Sequence, residues 1–170
     1  MQERNQTSSA AADAEQAERR PLACLLVTSN GGHLLELVQL RDEWERFERH
    51  WVTFDTPDVH SILAGEAVTY AYHPTNRNAK NLLRNAWLAV RLLRDLRPRA
   101  VVTAGAGVAV PFCYAARLFG ARVIYVESFA RITNPSLTGR LVYPVAHRFF
   151  VQWPGVRRFF RRAEYLGPLV

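Results

Sequence analysis

From residue 22 onward the chain alternates short apolar or β-branched runs with longer segments whose apolar residues recur at helical spacing. Gly, Pro, Asn and Asp punctuate the changes. Such alternation predicts a parallel sheet with helices on both faces, because a strand that is apolar throughout must be covered on both sides. Strands are expected at residues 22–28, 50–54, 68–72, 100–104, 122–127 and 148–152. Between the first two, residues 33–48 read as one helix, with Leu34, Leu37, Val38, Leu40, Trp44 and Phe47 on one face and Glu36, Arg41, Asp42 and Glu45 covering the rest. A short helical turn follows Pro57, a helix over 79–97 stops at Pro98, and another over 108–119 ends at Gly120. Ser136 is placed to cap a helix reaching residue 147, a short basic helix covers 156–163, and 165–170 reads as an extended tail.

The strand-to-helix turns carry the candidate chemistry. After the first strand comes Thr28-Ser29-Asn30-Gly31-Gly32-His33. Gly31 and Gly32 let the backbone approach a ligand that a Cβ would hold off, and amides at a helix start favour a phosphate. A tight turn capped by Ser29 or Asn30 is the plainer reading of the same residues. His33 is the nearest titratable group: it can take a proton from an attacking hydroxyl, donate to a phosphate, or pack at the helix start. A second glycine turn, Gly105-Ala106-Gly107, follows the fourth strand, with Pro111 in the first turn of the next helix. Gly105, Gly107, Gly120 and Glu127 together imitate a dinucleotide-binding fingerprint, although Val110 stands where its third glycine belongs. An NAD-type module is therefore an open alternative, and Glu127 is a site candidate under either reading.

The 79–97 helix carries more apolar surface than one sheet contact needs. Leu82, Ala86, Val90, Leu93 and Leu96 share a face, which Leu83, Trp87, Ala89 and Leu92 widen. Core packing accounts for such a face; with Trp87, Leu83, Arg94 and neighbouring basic residues it also suits a bilayer interface. Charges interrupt every apolar run before it reaches spanning length. The formal net charge of +7 points to phosphates or anionic head groups. Zinc-finger spacing, an RNA-binding aromatic signature and lysine runs are all missing, which argues against nucleic acid. His33, His50, His60, His73 and His147 are scattered without metal-ligand spacing, and Cys24 and Cys113 read as buried reduced thiols. Residues 1–20 are polar and read as a disordered tail, followed by a single α/β domain over 21–170.

Four stretches carry a family resemblance: Thr28 to His33, Ile124-Tyr125-Val126-Glu127-Ser128-Phe129-Ala130-Arg131, Ser136-Leu137-Thr138-Gly139-Arg140-Leu141-Val142-Tyr143-Pro144, and Phe149-Phe150-Val151-Gln152-Trp153-Pro154. In these the chain resembles the Alg14 family, which includes bacterial PssD-type and capsular-polysaccharide proteins. The ending Tyr165-Leu166-Gly167-Pro168-Leu169-Val170 is similar too. The resemblance implies a Rossmann-like domain equivalent to the N-terminal half of a GT-B glycosyltransferase at the cytoplasmic face of a membrane, and the interrupted apolar runs make the expected attachment of this chain peripheral. It implies an inverting transfer from a nucleotide sugar to a polyprenyl-diphosphate-linked saccharide, without a cofactor. An Alg13-like (PssE-like) partner would bind the donor, and a purely anchoring role for this chain is the alternative. By the same analogy Ser29, Asn30, Gly31, Gly32, Gly105, Gly107 and Arg131 would hold the acceptor phosphates, with His33 and Glu127 as catalytic candidates. Trp153, Leu166, Leu169 and Val170 would meet the partner. Two departures stand out: the residues before Pro21 are polar where many relatives carry an anchor, and Gly105-Ala106-Gly107 is a looser form of the family's glycine turn.

Overall fold

Cys24–Val27 (β1), Arg49–Thr53 (β2), Val68–Tyr70 (β3), Ala100–Thr103 (β4), Arg122–Val126 (β5), Arg148–Val151 (β6) and Glu164–Tyr165 (β7) are the strands of the computed structural model. They form one seven-stranded sheet in the order β3-β2-β1-β4-β5-β6-β7, every neighbouring pair parallel. The structure describes residues 24–44, 47–75 and 77–169. The polar segment 1–20, the expected strand start at Leu22, the Trp44 side chain, Glu45 and Val170 lie outside that description.

Alternate residues of each strand face opposite layers. Leu25 and Val27 of β1 join one core with Leu88, Leu93, Phe112 and Cys113, whereas Cys24 and Leu26 join a second with Leu34, Leu37, Val59 and Leu63. The first layer is supplied by Ala79–Leu96 (α4) and Ala109–Leu118 (α5), the second by Gly32–Val38 (α1) and Pro57–Ile62 (α3). Rossmann-like packing on both faces is therefore present as expected. Burial pushes the thiols of Cys24 and Cys113 up to about 12, which keeps them protonated at neutral pH. Native protein is expected to resist thiol-specific labelling at pH 8 and to label at both cysteines in denaturant; rapid native labelling would contradict this burial.

Five expectations change in detail. The helix over 33–48 breaks after α1 and resumes as Arg41–Trp44 (α2), because the bond Leu40 N–H to Leu37 C=O tightens the ladder at 3.2 Å. Glu36 leaves the solvent-facing set entirely and is buried. The helix after Ser136 is Leu137–Val142 (α6), stopping just before Pro144, and the basic helix is only Pro154–Arg157 (α7). Glu164 and Tyr165 extend the sheet as β7 where a tail was expected.

The α4 helix shows the largest reversal. Its inward stripe is Asn81, Asn85, Leu88, Ala89 and Leu93, while Leu82, Leu83, Trp87, Val90 and Leu96 are exposed. The asparagines face inward because the chain leaves the sheet after the Ala71 amide bonds the Thr53 carbonyl. Asn85 Nδ2 donates to the Tyr72 carbonyl at 2.8 Å and its Oδ1 accepts from the Tyr72 amide at 2.9 Å. Asn81 Nδ2 donates to the Pro74 carbonyl at 3.0 Å. Part-buried backbone groups that have left the sheet are thus paired by side chains.

Candidate functional site

The sheet order reverses between β1 and β4, and ligands of open parallel sheets bind beyond the strand ends at such a switch point. Here the loops after β1 and β4 lie side by side. Gly31 takes φ +69°, starting α1 one residue later, and delivers His33 toward the second loop. Gly105, at φ +108°, is packed so closely that a Cβ would lie 3.2 Å from the Tyr125 hydroxyl and 3.5 Å from His33 Cε1. Thr103 Oγ1 holds this turn, accepting from the Gly105 amide at 3.0 Å. His33 Nδ1 is buried without a hydrogen-bond partner among the described residues.

A cleft of about 590 Å³ opens at this point. Its polar lining is Ser29, His33, Thr75, Arg77, Arg131, Ser136 and Thr138, and its apolar lining includes Leu82, Val110, Leu137 and Leu141. Among the described residues, the Arg77 and Arg131 side chains make no hydrogen bond or ion pair. Thr75 is fixed against the second loop, since a Cβ on Gly107 would lie 3.2 Å from its Oγ1.

The expected site residues therefore divide. Ser29, His33, Gly107 and Arg131 line the cleft. Gly31 and Gly32 are exposed at the start of α1 and Asn30 is half-buried, none of them in its lining. Asp58 sits beside the Gly31 amide: the nearby Thr56 side chain, then the amides of Asp58, Val59 and Gly31, hold its carboxyl below the usual range. An anion at Gly31 would meet that acid.

Glu127 is 1% exposed and does not reach the cleft. Its carboxylate accepts from the Ser136 amide at 3.1 Å, the Ser128 amide at 3.2 Å and the Tyr125 hydroxyl at 3.4 Å. Burial, then the Glu127 charge, holds the Tyr125 hydroxyl well above its ordinary range, so it remains a donor. Glu127 thus builds the Ser136 wall of the cleft, and its engaged carboxylate removes the ribose-holding acid that an NAD-type module needs. Trp153 is also committed internally, its indole N–H donating to the Phe129 carbonyl at 2.6 Å. Leu166 is 80% exposed, and with Leu169 it lines an apolar groove of about 220 Å³ against Val102, Ile124 and Phe150.

Thr75, Arg77, Glu36 and Ser136 are site or supporting residues that sequence reasoning missed or used only as a cap. A signal existed for the first two, which follow the carboxyl end of β3, where this architecture places ligands. Glu36 carried none, its partners Ser128 and Gln152 being 92 and 116 residues away. Among the described residues no His, Cys, Asp and Glu cluster suited to a metal is present, and no helix is long and apolar enough to cross a membrane.

Comparison with known proteins agrees with this architecture. The human UDP-N-acetylglucosamine transferase subunit ALG14 is 27% identical over 183 residues, covering 89% of this chain and 85% of the relative. Its counterpart from Yarrowia lipolytica is 42% identical over 89 residues, covering 49% of this chain and 41% of the relative. Among solved structures, MurG of Acinetobacter baumannii aligns with a TM-score of 0.68 at 19% identity, over 80% of this chain and 43% of that one. The UDP-N-acetylglucosamine 2-epimerase of Rickettsia bellii aligns at 0.70 and 11% identity, over 88% and 46%. The chain thus spans less than half of either solved chain, and the likeness is one of fold. The family profile for oligosaccharide biosynthesis proteins like Alg14 matches residues 59–169, most of the described structure, and the chain belongs to the Alg14 family.

Proposed function

We propose that this chain is the acceptor-binding subunit of a two-component inverting glycosyltransferase, which transfers a sugar from a nucleotide sugar to a lipid-diphosphate-linked saccharide. The observation that carries the reading is the cleft at the β1/β4 switch point. It combines an imidazole, hydroxyls and two guanidiniums with leucine-rich walls, matching an acceptor that is part saccharide, part diphosphate and part lipid. In this reading His33 takes the proton from the acceptor hydroxyl as its oxygen attacks the anomeric carbon, and the nucleotide diphosphate departs. Arg131 and Arg77 pair with acceptor phosphate oxygens, with Ser29 and the Gly105 to Gly107 turn beside them. An Alg13-like partner supplies the donor site and meets Leu166 and Leu169. The names of the relatives favour N-acetylglucosamine as the sugar.

The test is transfer of label from UDP-N-acetylglucosamine to a polyprenyl-diphosphate saccharide, with each subunit alone and with both together. Product only from the pair is expected; no product from the pair across a panel of nucleotide sugars would overturn the proposal.

Membrane attachment is assigned to the outer flank of α4. Trp87 is 64% exposed and Leu83 71% exposed, with Arg91 over the Trp87 ring and Arg94 one turn further. The double change Leu83→Ser, Trp87→Ser removes most of the apolar anchor, each large side chain contributing about 1.5–3 kcal/mol when buried. Sedimentation with vesicles containing anionic lipid is expected to fall by at least about tenfold. Undiminished sedimentation would assign the contact to another surface.

A further inference from the structure

The C-terminal tail and the His33-bearing helix are joined through the interior by an unbroken line of hydrogen bonds. The Leu169 amide donates to Gln152 Oε1 at 2.8 Å, and Gln152 Nε2 donates to Glu36 Oε2 at 2.9 Å and to the Glu127 carbonyl at 3.2 Å. The other oxygen of Glu36 accepts from Ser128 Oγ at 2.8 Å and from the Phe129 amide at 3.2 Å. Glu36 is 6% exposed and Gln152 2% exposed.

Among the described residues no arginine or lysine pairs with this carboxylate; hydrogen-bond donors hold it, with His33 one turn away. Burial raises its pKa above the ordinary range while those donors and His33 pull it back. A buried carboxylate held this way is costly to disturb, and its donors define one orientation. It sits one helical turn after His33 on α1, a helix of seven residues, too short to hold its own orientation. An apolar residue at position 36 would pack α1 on the sheet but would not fix its rotation about the axis.

We propose that Glu36 is the positioning residue for His33, and that Gln152 couples this positioning to the C-terminal tail, so that the seating of Leu169 sets the aim of the imidazole in the cleft. The proposal rests on His33 lying in the functional cleft, but its test reads the imidazole directly and can fail while sugar transfer succeeds.

The experiment uses the full chain labelled with ¹⁵N, recording the His33 ring resonances and hydrogen exchange of the α1 amides. Leu169→Pro deletes the tail's amide donor at the far end of the line. It is expected to move the His33 ring resonances and to speed α1 exchange by about tenfold, the loss of one hydrogen bond in a charged network. Leu166→Ala, which leaves that donor in place, is expected to do neither.

Glu36→Gln sets an amide NH₂ against Gln152 Nε2 and is expected to reproduce the Leu169→Pro shifts. Adding Gln152→Glu reverses donor and acceptor between the pair but leaves the Glu127 carbonyl without its donor, so the double variant is expected to move the His33 resonances part of the way back to native. Unmoved His33 resonances in Leu169→Pro would overturn the coupling. A double variant no closer to native than Glu36→Gln would overturn the assignment to this pair, and loss of His33 resonances in Leu166→Ala as well would reduce the effect to general destabilisation.

Discussion

Gly139→Ala is expected to lower the thermal midpoint of the protein by roughly 6–12 °C, a loss of about 3 kcal/mol in a domain of this size. Gly139 is buried in α6, and a Cβ there would lie 2.3 Å from Glu127 Oε2, which no packed structure tolerates. The carboxylate has nowhere to retreat, being held by the Ser136 and Ser128 amides and the Tyr125 hydroxyl. Moving it leaves a buried charge and the Ser136 amide unpaired, about 1–3 kcal/mol beyond the overlap itself. Gly155→Ala is the control, because its Cβ would make an ordinary 3.5 Å contact with the Ile132 carbonyl; a change within about 0.5 kcal/mol is expected there. If the clash with Glu127 is the cause, Gly139→Ala costs much less in a Glu127→Ala background. Additive losses in thermal melts would place the cause elsewhere.

His33→Ala is expected to reduce turnover by the assembled pair by about 10²–10⁴-fold, the usual span for a general base, while leaving assembly with the partner intact. Packing sets the orientation of the imidazole: Gly105 lets the ring lie against the second loop, and the buried Nδ1 has no partner among the described residues. Gly105→Ala is a milder version of the same lesion, since its Cβ would press on the Tyr125 hydroxyl and touch the ring at a backbone φ of +108°. Steady-state kinetics with saturating donor decide the matter. A His33→Ala enzyme with native kcat would move the base to another group and leave His33 a packing residue of the cleft.

The strand pattern carried most of the architecture, because parallel strands buried on both faces read as continuous apolar runs and their turns as glycine and proline. Every strand except β7 was legible that way; Glu164 and Tyr165 are too few to show a period, and only pairing with Phe150 and Val151 makes them a strand. At the site, His33, Ser29, Gly107 and Arg131 could be read from their place after strand ends. Glu36 could not, since local spacing puts it with Arg41, Asp42 and Glu45 on the charged side of the expected 33–48 helix and only distant Ser128 and Gln152 explain its burial. Glu127 was visible as a strand-end acid, but its task depended on a loop nine residues onward: the Ser136 amide takes the carboxylate that local reading offered to a ligand. The same limit explains α4, whose inward asparagines answer to the unpaired chain at Tyr72 and Pro74.

That asparagine grip also has a mechanical side. A helix seated by leucines alone can roll about its axis at little cost, since apolar contact has no direction. Rolling α4 would instead break the bonds from Asn81 and Asn85 to Tyr72 and Pro74 together. A sideways load on the exposed Leu83 and Trp87 flank therefore cannot dissipate as rotation. It passes instead to the chain at Tyr72 and Pro74, just before Thr75 in the cleft lining, so the helix and that rim of the cleft move as one body.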